Sequence, residues 1–357
     1  MHDASEGPLN AIAEAIVRRG AAPTVACGYA VRRGSAWVFA HSSDSESFFD
    51  LASVTKPFTA LACASVPGLL ELPLAQALPE LADAPVAAHP LRHFLAHRAG
   101  LDAHVPLFLP AMGGAPFEKA RALRQAATSL RGGARSAPNA SDAVYSDLGY
   151  ILAGEALARA LGETDAGAAL EAGILRDTKL LGAIGTSHGL RLLHADAQRR
   201  FVPTEPMAWR GGVSRGAVHD DNAWALTGMS ASGHAGLFGT LRGVLRFGTA
   251  VCDGWLHREG PLGSLPFASL LEEQPDSTWR VGFDGKSLGG TSTAGARASA
   301  RSVGHLGFTG TSVWIDPDRL AVTVLLTNRV HPSRDFNALR ELRGAVHDTL
   351  FGLADRA

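Results

Sequence analysis

Near the start of the chain, Leu9, Ile12, Ala13, Ile16 and Val17 recur at helical spacing and predict an amphipathic helix. Two apolar runs follow, at 24–31 and 36–40, joined by the turn-like RRGS, and these predict a pair of strands. A polar stretch, HSSDSES, then leads into FFDLA (48–52), with a helix expected from about Ser53. From there to about residue 200 the chain is rich in Ala and Leu, and its helical spacing is broken by Pro and Gly. LRHFLAH (91–97) and LGYILAGEALARAL (148–161) are examples. Residues 200–235 read as loop, and a helix is expected near 241–251. The pattern then returns to strands at SVGHLGFT (302–309), TSVWID (311–316) and LAVTVLLT (320–327). The last is apolar almost throughout, as a central strand covered on both faces would be. Pro317-Asp318 predicts a tight connection between the second and third. A closing helix carries Phe336, Leu339, Leu342, Val346 and Leu350 on one face.

Strands at both chain ends with helices between them predict an α+β fold. Short β connections imply antiparallel pairing. The expected sheet is built from both termini, with flanking helices, and a helical lobe is inserted into it. In residue terms, 1–60 and 225–357 form the sheet lobe and 61–224 the inserted lobe. A cleft between lobes is the expected place for a site.

Composition narrows the classes of function. The chain has 357 residues, 46% of them hydrophobic, enough for a core divided between two lobes. Lys and Arg number 33 against 34 Asp and Glu, a formal net charge of −1, which gives no general pull toward nucleic acid or anionic lipid. The first twenty residues contain Asp3, Glu6, Pro8 and Glu14 and do not read as a signal peptide. No apolar run reaches the ~18 residues that span a bilayer. The three cysteines, Cys27, Cys63 and Cys252, are far apart and odd in number, which suits free thiols better than a disulfide or metal scaffold. The expectation is a cytoplasmic protein with no cofactor, no bound metal, no nucleic-acid partner and no membrane span.

Candidate chemistry begins at Ser53-Val54-Thr55-Lys56. If Ser53 opens a helix, Lys56 lies one turn along on the same face, with its amine near the Ser53 hydroxyl. A serine needs an adjacent base to attack a carbonyl, and lysine can serve once desolvation lowers its pKa from ~10.4 toward neutrality. Alone, the pattern fits a capping serine beside a solvated lysine better. Tyr145-Ser146-Asp147 precedes the helical run at 148–157, and His305-Leu306-Gly307 lies on the first C-terminal strand.

Taken in order, FDLASVTKPFTALA, LRHFLAHRAGL, VYSDLGYILAGEAL, SGHAGLFGT and GHLGFTGTSVWIDP closely resemble the serine β-lactamase and DD-peptidase superfamily. The nearest branch is similar to the class C-related group, which also holds esterases and D-aminopeptidases. The resemblance spans about residues 20 to 330. It implies Ser53 as nucleophile, Lys56 as proton acceptor and Tyr145 as a relay to and from the leaving group. It places His305 facing the substrate, where many relatives carry Lys or His. The implied oxyanion hole is formed by the backbone N–H groups of Ser53 and Phe308, two fixed donors for the charge that develops on the carbonyl oxygen. Gly307 would let substrate lie close to the strand.

Two departures from the family pattern bear on substrate. Asp147 stands where the second motif usually ends in Asn, and its carboxylate would favour the Lys56 ammonium, leaving Tyr145 more of the proton transfer. The third motif is His-Leu-Gly rather than Lys-Thr-Gly, so the ammonium and hydroxyl that hold a β-lactam carboxylate are missing. The expected activity is therefore hydrolysis of small acyl esters or D-amino-acid peptides, with β-lactam hydrolysis weak. The alternatives are an acyltransferase using the same acyl-enzyme, or a non-catalytic penicillin- or peptide-binding sensor. Gly212-Val213-Ser214-Arg215-Gly216 matches G-x-S-x-G but lacks the flanking strand and helix that motif needs. His93 and His97 have metal-compatible spacing, but no Glu follows His93. His234, in a glycine-rich turn, is a candidate for the cleft wall.

Overall fold

The computed structural model describes residues 6–133, 143–274, 277–287, 289, 291–335 and 338–357. Strands β1 (Val25–Arg33), β2 (Ala36–His41), β6 (Asp284–Gly285), β7 (Val303–Leu306), β8 (Ser312–Asp316) and β9 (Ala321–Thr327) form one six-stranded sheet, in the order β2-β1-β9-β8-β7-β6. Every pairing within it is antiparallel. The two chain ends meet at the β1–β9 ladder, where Val25 sits opposite Thr327 and Val31 opposite Ala321. All residues of β9 are buried, because it lies between β1 and β8 and both sheet faces are covered. The helices Glu6–Arg18 and Leu339–Ala354 pack on one face around Leu9, Ile16, Leu350 and Phe351. The helix Leu241–His257 packs on the other. At Gly248 it approaches β9 so closely that a Cβ would collide with Val322.

The mixed α/β architecture with an antiparallel sheet from both termini is the one the sequence predicts. Several local readings differ. Phe336, placed on the closing helix from its spacing, lies outside the described residues; the helix begins at Leu339. Residues 200–235 are not all loop, since Asp221–Thr227 is helical and is capped by the Asp220 carboxylate, which accepts the Ala223 N–H at 2.8 Å. A second, three-stranded sheet joins β3 (Phe49–Asp50), β4 (Ile184–Thr186) and β5 (Leu237–Gly239) in the order β3-β5-β4. Its strands are too short to show a period of two, so only long-range pairing reveals them. Through β3 and β5 this sheet fixes the segments that enter the candidate site. Among the described residues, no helix is long and apolar enough to cross a membrane. Cys27, Cys63 and Cys252 are buried and free, and burial pushes each thiol up to about 12.

Candidate active site

Ser53 sits in a single 3₁₀ turn, Ala52–Val54, that runs straight into the helix Thr55–Ser65. The nucleophile candidate thus precedes the α-helix rather than opening it, yet Lys56 still stands one turn away. Ala52 has φ +47°, a left-handed backbone that an L side chain adopts only when its surroundings hold it there. Those surroundings are visible. The buried Asp50 carboxylate accepts the Ala52 N–H at 2.8 Å and the His219 N–H at 2.7 Å. Thr309 Oγ1 donates to the Asp50 carbonyl at 2.7 Å, and Thr311 Oγ1 to the Leu51 carbonyl at 3.0 Å. The turn carrying Ser53 is therefore tied both to the His219 loop and to the end of β7.

Lys56 is 0% exposed and all three of its ammonium protons are engaged. Nζ donates to Ser53 Oγ at 2.9 Å, to Asp147 Oδ1 at 2.7 Å and to the His234 carbonyl at 3.1 Å. The last partner depends on two glycines. Gly233 packs against the helix Asp147–Leu161 so tightly that a Cβ on Gly154 would lie 2.6 Å from its Cα, and Thr59 Oγ1 donates to its carbonyl at 2.8 Å. His234 contributes its carbonyl to Lys56, while its ring contacts Asp220 at 2.8 Å and Ser232 at 3.2 Å.

Burial pushes the Lys56 ammonium down from its ordinary value, and the Asp147 carboxylate works against that. Burial alone would raise the Asp147 carboxyl, but Lys56, His104 and His234 outweigh it and hold the group well below the usual carboxylate range. The Asp147 carboxyl is therefore ionised near neutral pH, while burial moves Lys56 toward a usable base against the pull of that carboxylate.

Tyr145 Oη is 2.8 Å from Ser53 Oγ. Its position is set by His97, which the family resemblance implies to lie in a structural loop beside the nucleophile helix. The Val144 N–H donates to the His97 carbonyl at 2.9 Å, and the Ser146 N–H donates to His97 Nδ1 at 3.0 Å, so Tyr145 is held from both sides. Burial, aided by the nearby Lys56 charge, holds the His97 imidazolium well below its ordinary pKa, which leaves Nδ1 free to accept. His93 turns instead to His89, with 3.1 Å between their Nδ1 atoms. Burial and the Asp147 charge push the Tyr145 phenol well above its ordinary value. Tyr145 therefore stays protonated near neutral pH, which suits a group that passes a proton along.

Ser53, Tyr145 and Asp147 open onto a cleft of about 460 Å³. Its apolar lining includes Pro106, Phe108, Ala235 and Phe308, and its polar lining includes His104, Asp220, Asp221 and Arg334. Arg334 is engaged by Glu205 at 2.5 Å and by Asp221 at 3.3 Å, and Asp221 also pairs with the buried Arg210. Sequence reasoning passed over the HDD run at 219–221 as loop. The helix-capping spacing from Asp220 to Ala223 was the one signal available there. Ser214 lies in no strand-to-helix turn; its carbonyl accepts the Thr204 N–H at 2.8 Å.

The third motif behaves differently from its expected role. His305 is only 2% exposed and does not line the cleft; it stands behind Tyr145 and Trp279, with ring centroids 6.4 and 6.0 Å away. Its Nδ1 meets the Leu306 carbonyl at 2.8 Å, and its Nε2 has no partner among the described residues. Burial, then the Lys56 charge, lowers it to about 3, so it is neutral for a different reason than expected. Gly307 also serves a different neighbour. A Cβ there would collide with Thr311 Oγ1 and lie 2.6 Å from the Leu51 carbonyl, so it is the nucleophile turn, not substrate, that approaches this glycine. Phe308 is 51% exposed on the cleft rim, stacked on His219 with centroids 5.7 Å apart.

A family model described as Beta-lactamase matches residues 9–348, nearly the whole chain. The chain belongs to the β-lactamase family. Its fold agrees. A β-lactamase from Sulfitobacter sp. EE-36 superposes with a TM-score of 0.67 at 18% identity, covering 98% of this chain and 99% of that one. EstCE1, described as a hydrolase with promiscuous acyltransferase activity, gives a TM-score of 0.67 at 17% identity over 96% and 97% of the two chains. The class C β-lactamase from Rhodobacter sphaeroides gives 0.65 at 17% identity over 98% and 100%. Among curated sequences, a Salmonella enteritidis PT4 (strain P125109) protein named "Putative D-alanyl-D-alanine carboxypeptidase" is 33% identical over 127 residues, which is 32% of this β-lactamase-family chain and 27% of that protein.

Proposed function

We propose that this protein hydrolyses ester or amide bonds through an acyl-enzyme on Ser53. One observation carries the reading: Ser53 Oγ lies within hydrogen-bond reach of both Lys56 Nζ, at 2.9 Å, and Tyr145 Oη, at 2.8 Å. Attack on a substrate carbonyl would send the Ser53 proton to Lys56, with Tyr145 then delivering a proton to the departing alkoxide or amine. Water entering by the same route would release the acid. The Ser53 and Phe308 amides are the proposed oxyanion donors. The hydrogen bonds from Thr309 and Thr311 to the Asp50 and Leu51 carbonyls hold those two segments in register.

The cleft favours a neutral substrate. Its carboxylates Asp147, Asp220 and Asp221 repel an anion, and the arginine among its lining residues, Arg334, is already paired. Short neutral acyl esters should therefore exceed penicillins or cephalosporins in kcat/KM by about tenfold or more, a difference of about 1.4 kcal/mol. Competition between a chromogenic ester and a cephalosporin measures this, and faster cephalosporin hydrolysis would remove the charge argument. The decisive experiment for the mechanism is labelling with a fluorophosphonate and with a penicillin, followed by mapping of the modified residue. Label on Ser53 is expected; label on Ser214 would end the proposal. Adding an alcohol or amine acceptor during turnover separates hydrolysis from acyl transfer.

A further inference from the structure

His104 stands at the mouth of the cleft with its side chain 46% exposed. Its Nδ1 lies 3.5 Å from Asp147 Oδ2, while Lys56 Nζ lies 2.7 Å from Asp147 Oδ1. One carboxylate, itself 15% exposed, thus bridges a base sealed from solvent and a base open to it. The outer distance suits an ion pair better than a hydrogen bond, so its attraction depends on whether His104 carries charge.

We propose that His104 is a positioning residue for Lys56, acting through Asp147: a protonated His104 draws the carboxylate's charge outward and lets the Lys56 amine shed its proton more readily. The proposal rests on Lys56 being the base for Ser53. Two cations competing for one carboxylate disfavour each other, and the penalty is reciprocal. Asp147 raises the His104 pKa above its ordinary value, against burial and with help from Asp220 and Asp221 across the cleft. Of the other groups around the bridge, His97, His305, Tyr145 and Asp220 keep one charge state through the neutral range. Burial holds His97 and His305 low, burial holds Tyr145 high, and His234 keeps Asp220 ionised despite its burial. His234 faces Asp147 from the far side and is itself held by Asp220 at 2.8 Å.

The consequence is a two-step pH dependence. Log kcat/KM should rise with pH, flatten where His104 loses its proton and Asp147 tightens on Lys56, then rise again. His104→Gln should remove the shoulder and lower kcat/KM on its acid side by about three- to tenfold, the equivalent of up to about one pKa unit of coupling. On the alkaline side the variant should stay within about twofold. Asp147→Asn should move the whole limb to lower pH, because the amide no longer favours the ammonium.

A measurement independent of turnover is the NMR titration of the His104 ring in the intact protein. Its midpoint should fall in Asp147→Asn and rise in Lys56→Met, where the carboxylate has no other cation. A midpoint indifferent to both, or a shoulder that survives His104→Gln, would overturn the proposal. If Lys56→Met fails to fold, the Asp147→Asn titration decides alone. Turnover that persists in Ser53→Ala would sink the assignment of Lys56 as base and leave the titration coupling to stand or fall separately.

Discussion

The two backbone segments that meet at the cleft are held in opposite ways. At the nucleophile corner, Ser53, Lys56, Tyr145 and Asp147 are joined side chain to side chain, and the fully buried Lys56 Nζ has three partners. At the end of β7 the side chains withdraw: His305 is buried with an unpartnered nitrogen, and Gly307 has no side chain at all. What reaches the cleft there is backbone, together with the Phe308 ring. Under the proposed mechanism the first segment would supply proton chemistry and the second fixed geometry. A buried ion pair costs much to assemble and about 3–5 kcal/mol to break by removing one partner, so its members are exacting about neighbours. A strand edge that offers only amides is exacting about space.

The sharpest test of this contrast is Ser53→Ala, which should lower kcat by at least ~10³ and abolish probe labelling, with folding checked by circular dichroism. Tyr145→Phe keeps the ring packed against His97 and removes only the hydroxyl 2.8 Å from Ser53. It should cost about 10²-fold in kcat, in the range of one general acid–base group, and leave KM nearly unchanged. At the strand, Gly307→Ala should force the β7 end away from Leu51 and cost about tenfold or more in kcat through a misplaced amide, read from steady-state kinetics together with a lower melting temperature. The smallest effect belongs to His305→Gln, which should change kcat/KM for a neutral ester less than about threefold, since Nε2 engages nothing that a glutamine must replace. A loss of a hundredfold there would mean that the strand contributes side-chain chemistry after all.

The pattern of what could be read in advance follows the range of the interactions. Ser53 and Lys56 were legible because helical spacing brings positions i and i+3 together and because the ordered motifs around them resemble a known family; the spacing alone fitted a capping serine. The β1, β8 and β9 strands were legible because their apolar runs are long. His97, Asp50 and His104 were not, because each acts on a partner about 40 or more residues away in sequence, His97 on Ser146, Asp50 on His219 and His104 on Asp147. Nothing local distinguishes a histidine that receives a backbone N–H from one that ligates a metal. His305 was placed on the correct strand but on the wrong side of Tyr145, because burial behind Trp279 is a property of the packed lobes.

The three hydrogen bonds of Lys56 carry an implication for direction. A carboxylate and a carbonyl can only accept, whereas a hydroxyl can accept or give. When Lys56 becomes a neutral amine it keeps two hydrogens and gains one lone pair. Asp147 and the His234 carbonyl can each take a hydrogen, and neither can meet the lone pair. That leaves the electron pair pointing at Ser53, 2.9 Å away, without any rotation of the side chain. The surrounding acceptors thus aim the base as well as bury it.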